Sequence, residues 1–349
     1  MFVLSPHRPA SSPLFAAALL ALLTAPPALA QQVPDTTFSP PIASPAFAPG
    51  EGPVVLIDEG HHNFHTLGGR YAPFARLVER DGFVLRPHAG PFTRTALDSA
   101  RVLVVANALA ERNLEDWNLP VLPAFDTSEV HVVEGWVRDG GSLLLVADHL
   151  PFGGAAEGLA AAFGVLLSNG FARDASGHMN FMLRRSDRLL HAHPVTDGRG
   201  PGERVDSVAV YTGEAFRTTL PVDTLLVMES GSTLLLPEVA WQFSPLTPQI
   251  RADGMLVGAA LTHGRGRVVV FGEAAMLTAQ LAGPQRMPAG MNAPEAAHNS
   301  RLVLNTVRWL AGVTGPRDAG PRGQKRGRGR RRVPACGARA PSRRANRIK

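Results

Sequence analysis

From Gly52 onward the chain alternates unbroken apolar runs with stretches in which apolar residues recur every three or four positions. The runs Val54–Ile57, Phe83–Leu85, Val102–Ala106, Ser142–Ala147 and Arg267–Phe271 are short, rich in Val and Leu, and without polar alternation, which predicts strands covered on both faces. Between the first two, Tyr71, Phe74, Ala75 and Val78 fall at i, i+3, i+4 and i+7, the stripe of an amphipathic helix that Asp81-Gly82 stops. Val130, Val133 and Val137 make a second stripe, with Thr127 or Ser128 as the expected cap and Gly140-Gly141 as the stop. The segment Gly153–Gly164, "GGAAEGLAAAFG", predicts a third helix, and Val303, Val307 and Leu310 a fourth, capped by Asn299 and ended by Gly312. Strands alternating with helices in this way predict an α/β fold, a doubly wound and mostly parallel sheet with right-handed crossovers. Four β-rich runs within Arg204–His263 break that rhythm and are expected to form an antiparallel extension of the same domain.

The flanks read differently. His7 and Arg8 precede the apolar run Leu14–Ala30, which ends in Ala28-Leu29-Ala30, so residues 1–30 are expected to be a cleaved signal peptide and the protein secreted or periplasmic. Pro26 and Pro27 interrupt the run, which is short for a membrane anchor, and no later segment is apolar for long enough to span a bilayer. Residues 31–52, rich in Pro, Ser and Ala, read as a linker, residues 53–313 as the folded domain, and residues 314–349 as a disordered Arg-rich tail.

Charge changes the picture only once it is divided along the chain. The formal net charge is +6, but residues 1–315 carry 22 Lys and Arg against 28 Asp and Glu, and the remaining 13 basic residues stand in the tail beside Asp318 alone. An acidic body gives no reason to expect specific nucleic-acid binding. The tail, in contrast, is suited to touch anionic envelope polymers by counterion release. The single cysteine, Cys336, lies in that tail, which leaves the body without a disulfide, a thiolate ligand or a cysteine nucleophile.

Titratable residues gather where strands end. Asp58, Glu59, His61, His62 and His65 follow the first strand, His88 the second, Asp148 and His149 the fourth, Glu273 the last, and His298 precedes the final helix. The carboxyl ends of parallel strands share one edge, where open α/β sheets bind ligands, so these residues are expected to converge. Taken singly each has a structural role open to it: Asp58 and Asp148 as turn caps, the histidines as loop or packing residues. Two chemistries fit the set. Asp58, His61, His62 and His65 supply the imidazole and carboxylate donors of a divalent metal such as zinc, although a His-His-x-x-His run fixes neither geometry nor a general base. Alternatively, Glu59, Asp148, His149 and Glu273 supply proton transfer without a metal.

The segments "VVLIDEGHHNFHTLGGRYAPFARLVERDGFVL", "EGWVRDGGSLLLVADHLPFGGAAEGLAAAFG" and "HNSRLVLNTVRWLAG" resemble the class I glutamine amidotransferase-like superfamily. Within it they are most similar to a secreted bacterial branch related to gliding-motility, intraflagellar-transport and trehalose-utilisation-like domains. The resemblance spans about Pro53–Gly312 and implies a flavodoxin-like sheet. It also implies that Asp148 or His149 holds the elbow position where an amidotransferase carries its cysteine. Without that cysteine, thioester chemistry on glutamine is excluded, and no serine stands at the elbow to replace it. The crowded turn "DEGHHNFHTLGG" likewise lacks the bare glycine backbone a dinucleotide needs. Two functions remain: a hydrolase, metal-assisted or not, of a carbohydrate- or peptide-like substrate, and a non-catalytic domain binding a small polar ligand, a glycan or a protein of the envelope.

Overall fold

The computed structural model describes residues 32–314; the expected signal peptide and, from residue 315, the Arg-rich tail lie outside them. Seven strands form the central sheet: β1 (Val54–Asp58), β2 (Val84–His88), β3 (Val102–Ala106), β4 (Ser142–Val146), β5 (Asp223–Val227), β6 (Leu256–His263) and β7 (Gly266–Phe271). Their spatial order is β5-β6-β7-β4-β3-β1-β2, with β2, β1, β3, β4 and β7 parallel and β6 antiparallel to both its neighbours. Four helices cover it: α1 (Ala72–Arg80), α2 (Thr127–Arg138), α3 (Phe152–Ala161) and α4 (Asn299–Leu310).

Because side chains alternate across a strand, each unbroken apolar run feeds two cores at once. Val55, Ile57, Val104, Leu144, Val269 and Phe271 face α1 and α4, meeting Phe74, Val78, Val303 and Val307. Their neighbours Leu56, Leu103, Val105, Leu143, Val268 and Val270 face α2 and α3, meeting Val133, Val137, Leu159 and Phe163. The α/β fold expected from the hydrophobic pattern is therefore present, a mostly parallel sheet between two helical layers. Among the described residues no helix is long and apolar enough to cross a membrane.

Several expectations need correction in detail. The four runs in the 204–263 segment do form antiparallel pairs, but they divide among sheets, and β5 and β6 join the main one. Ser207–Tyr211 pairs instead with Asn180–Arg184, and Thr233–Leu235 sits between Phe171–Arg173 and Gln249–Arg251. Helix α2 is capped by Asp126, in a capping box with Glu129, rather than by Thr127 or Ser128. In α4 the N-cap is His298, and Asn299 instead bonds the backbone of Ala209 and Met276.

The segment read as a linker is a docked strap. Val33–Pro34 pairs with Gln280 and Leu281, the amides of Ala46 and Phe47 donate to Asp81, and Phe47 packs edge-on against Phe83 at 5.2 Å. Its proline-rich composition conceals the anchors Phe38, Ile42 and Phe47, which add to the core beneath α1 and α4. A surface hollow of about 150 Å³ lined by Phe38, Pro40, Arg76 and Arg80 lies along this strap and shares no residue with the strand-end groups below.

Candidate functional site

Parallel register sets the carboxyl ends of the strands level: Asp58 lies opposite His88, and Ala106 and Phe271 each lie opposite Val146. The next residues of each chain therefore meet at one edge. Asn107 lies just past β3 in the left-handed region, φ 51°, which asparagine tolerates better than most residues. Its side chain accepts from the Asp148 amide at 2.9 Å and donates to Asp148 Oδ2 at 2.8 Å and to His65 Nδ1 at 3.3 Å. Asp148 Oδ1 accepts from the Ala274 amide at 2.5 Å, which ties the elbow to the turn carrying Glu273. Glu273 in turn takes the amides of Ala275 and Met276, at 2.6 and 2.7 Å.

Two glycines let a third carboxylate join. A Cβ at Gly213 would stand 2.2 Å from the Gly272 carbonyl oxygen, and one at Gly272 would stand 2.4 Å from that of Glu214, so only glycines allow these backbones to touch. Glu214 is thereby buried beside the pair. Its Oε2 accepts from the Ser168 and Asn169 amides and the Ser168 hydroxyl, while Oε1 has no partner and faces Gly153.

Burial dominates the electrostatics of this trio. It pushes Asp148 up to about 7, against the lowering effect of its Asn107 and Ala274 bonds. Burial and the Asp148 charge hold Glu273 well above the ordinary carboxyl range, and burial raises Glu214 to about 8 with Asp148 adding to it. The charge of Asp148 thus makes the ionisation of Glu273 depend on that of its neighbour. Tyr71, whose hydroxyl donates to the Ala274 carbonyl at 3.3 Å, is pushed up by burial and by both carboxylates.

His149 turns away from Asp148 into an aromatic bowl. Its ring stacks on Phe171 at 4.2 Å and meets Trp241 edge-on at 4.8 Å, with Phe152 and Trp117 at 5.9 and 6.2 Å. Burial lowers its pKa to about 4, so the ring is neutral. Nδ1 lies 2.8 Å from the Leu150 carbonyl and must carry the hydrogen, which leaves Nε2 an acceptor. Trp241 and Phe243 are 48% and 38% exposed, so one wall of the bowl is open to solvent.

The expected metal set does not assemble. His61 is flanked by carboxylates, Nδ1 at 2.9 Å from Asp58 and Nε2 at 3.0 Å from Glu129, and neither nitrogen is left for an ion. Asp58 also takes Asn63 Nδ2 and the Gly60 amide. His62 is exposed at φ 49°, and His65 is buried against Tyr71 with Nδ1 on Asn107. Among the described residues no group of three or more His, Cys, Asp or Glu stands so as to hold a metal. The run places its histidines in three environments, which spacing cannot show.

Of the expected proton-transfer residues, Asp148 and Glu273 are brought together and His149 adjoins them. Glu59 is separate, its Oε1 accepting from the Leu67 amide at 2.7 Å. His88 bonds the Pro91 carbonyl, and His298 accepts from the Asp206 amide. Glu129, Asn107, Glu214 and Arg70 escaped the sequence reading. Asp126-x-x-Glu129 is a legible capping box, but its contact with His61 is not.

No family model matches the chain, and no curated protein matches it. Among solved structures it is similar to the mmIFT52 N-terminal domain, with 14% identity and a TM-score of 0.51 over 75% of this chain and 98% of that one. A putative ThuA-like protein from Bacteroides uniformis matches 78% of this chain and 95% of its own at 14% identity and a TM-score of 0.40. The β-galactosidase from Bacillus circulans sp. alkalophilus matches 75% of this chain and 31% of its own at 8% identity and a TM-score of 0.37. At such identities the likeness to the mmIFT52 domain is one of fold.

Proposed function

We propose that this chain is a secreted or periplasmic hydrolase of a polar, carbohydrate- or peptide-like substrate, working by proton transfer from the Asp148–Glu273 pair rather than through a metal held by Asp58, His61, His62 and His65. In this reading the protein is kin to the class I glutamine amidotransferase-like superfamily, with Asp148 at the elbow where amidotransferases carry cysteine. The observation that carries the proposal is Asp148 itself: a strand-end carboxyl, 8% exposed, bonded to the Ala274 amide next to Glu273, its pKa pushed up to about 7 by burial. A general acid or base works best when its pKa lies near the operating pH. The neighbouring bowl supplies what a sugar or an amide plane needs, flat apolar walls in Trp117 and Trp241 and an acceptor for one hydroxyl or amide hydrogen in His149 Nε2. Glu214 joins the cluster as a third buried carboxyl, its pKa raised to about 8 by burial and by the Asp148 charge.

One feature favours the second reading, a non-catalytic glycan- or protein-binding domain: every oxygen of Asp148 and Glu273 already accepts a hydrogen bond from within the fold. A panel of glycosidase and peptidase substrates near neutral pH separates the two. The hydrolase reading expects turnover that Asp148→Asn reduces by about a hundredfold or more, the scale of general acid–base catalysis. Full activity in a folded Asp148→Asn protein, or no turnover alongside saturable glycan binding, rejects it.

A further inference from the structure

Among the described residues two hydrogen-bond donors beside the bowl have no acceptor. Arg70 lays its guanidinium 3.7 Å over the Phe64 ring; its Nε is buried without a hydrogen-bond partner, and among the described residues no carboxylate pairs with it. Three other arginines that the fold partly covers are paired with carboxylates: Arg308 meets Asp81 and Glu203, Arg185 meets Asp197 and Asp206, and Arg199 meets Glu203. The position of Arg70 is fixed from behind, since the Thr278 hydroxyl donates to its carbonyl at 2.6 Å.

The second donor is His65. The Asp148 amide must find an oxygen, so Asn107 turns Oδ1 to it and its NH2 group to Asp148 Oδ2 and His65 Nδ1. His65 Nδ1 is therefore an acceptor, and Nε2 carries the hydrogen. Nε2 is buried and makes no hydrogen bond. The ring is held neutral, its pKa lowered to about 3 by burial and then by the Arg70 charge, so the N–H stays in place across the physiological range. A buried donor left without an acceptor costs stability, and a guanidinium without a counterion in an acidic body has an obvious complement.

Both donors border one ring. Phe64 lies under Arg70 and 5.6 Å from the His65 ring, and it also meets Trp117 at 5.3 Å and Phe152 at 5.5 Å, the walls around His149. From this arrangement we infer that Arg70 and His65 Nε2–H form a subsite for the carboxylate of a ligand whose ring or amide plane lies against Trp117 and Trp241. The inference rests on the ligand site proposed above and names its substrate class as acidic, a uronic-acid-like sugar or a peptide carboxylate. A monoanion fits better than a phosphate dianion. One guanidinium and one neutral N–H offer a single positive charge, and Asp148 is only an Asn107 amide away from His65.

The test is binding to the full chain, with D-glucuronate, D-glucose, N-acetylglycine and inorganic phosphate as probes, read by calorimetry and by the 15N shifts of Arg70 Nε and His65 Nε2. At least one carboxylate should bind about tenfold or more tightly than glucose, the scale of a charge-assisted hydrogen bond, and both shifts should move. Arg70→Gln should erase the preference for glucuronate over glucose, while Arg70→Lys keeps part of it. Equal affinity for glucuronate, N-acetylglycine and glucose, tighter binding of phosphate than of either carboxylate, or a preference unchanged in Arg70→Gln overturns the subsite. Should Arg70→Gln fail to fold, the wild-type shifts decide, and their immobility at saturating glucuronate and N-acetylglycine also overturns it. Because binding is read without turnover, loss of the hydrolase reading would leave this result standing, and loss of the subsite would leave Asp148 chemistry untouched.

Discussion

His61 Nε2 lies 3.0 Å from Oε1 of Glu129, a residue 68 positions further along the chain, while its Nδ1 holds Asp58. An imidazole between two carboxylates can satisfy both only when each nitrogen carries hydrogen, so the charged ring is the one that fits. Burial alone would lower its pKa, but the bonds and charges of Asp58 and Glu129 outweigh that and raise it. The ring is also packed between Phe92 and Phe125, at 4.6 and 4.7 Å. It thus pins the loop after β1 to the first turn of α2.

His61→Ala would leave Asp58 and Glu129 facing a void, and truncating one partner of a buried ionic network costs about 3 kcal/mol or more. A raised histidine pKa means that the folded state binds the proton more tightly than the unfolded chain does. The stabilisation is then full below the ordinary value of 6.5 and fades as pH rises through the folded value. Denaturant titrations of both proteins should therefore show the widest gap near pH 5.5 and a narrower one at pH 9. A gap that does not change with pH would mean that folding leaves the pKa of the ring unshifted, and a gap that widens as pH rises would mean that the ring is neutral in the fold.

Glu214 carries the opposite lesson. Its pKa rises on folding from 4.5 to about 8, so the native state holds a proton that the unfolded chain releases, and stability falls as pH climbs between those values. Glu214→Gln keeps an oxygen for Ser168 and Asn169 and removes the titration. Its melting temperature relative to wild type should increase steadily from pH 5 to pH 9. Melting curves that stay parallel across that range would contradict the buried, protonated carboxyl.

Metal addition supplies a third check. An ion bound by the native state stabilises it by mass action. With His61 saturated by carboxylates and His65 facing Asn107, neither EDTA nor equimolar zinc should move the melting temperature of the protein. A chelator-induced drop of several degrees would show that the loop after β1 rearranges around an ion.

Much of the architecture was legible because periodicity is a local property. The runs at Val54, Val102, Ser142 and Gly266 are apolar on both faces since both faces are covered, and the Phe74 and Val303 stripes face the sheet as their spacing requires. The strap around Phe47 was not legible, because its partners Phe83 and Asp81 come from another part of the chain and composition there reads as a spacer. The site divides in the same way. Strand ends announced Asp148 and Glu273, whereas Glu214 follows a strand of a small two-stranded sheet and reaches them only because Gly213 and Gly272 let two backbones touch.

By itself, then, the order of residues determined which segments become strands and helices, which edge collects the polar groups, and that no cysteine or serine nucleophile stands at the elbow. Only the tertiary structure decided where those groups stand: His61 went to an ionic clasp, His65 Nε2 to an unpaired donor beside Arg70, and Asp148 to a cluster of buried carboxyls with raised pKa values. The reason is physical. Propensity and periodicity act over a few neighbouring residues, but a side chain's charge state and hydrogen-bond partner depend on burial and on groups that arrive from distant parts of the chain.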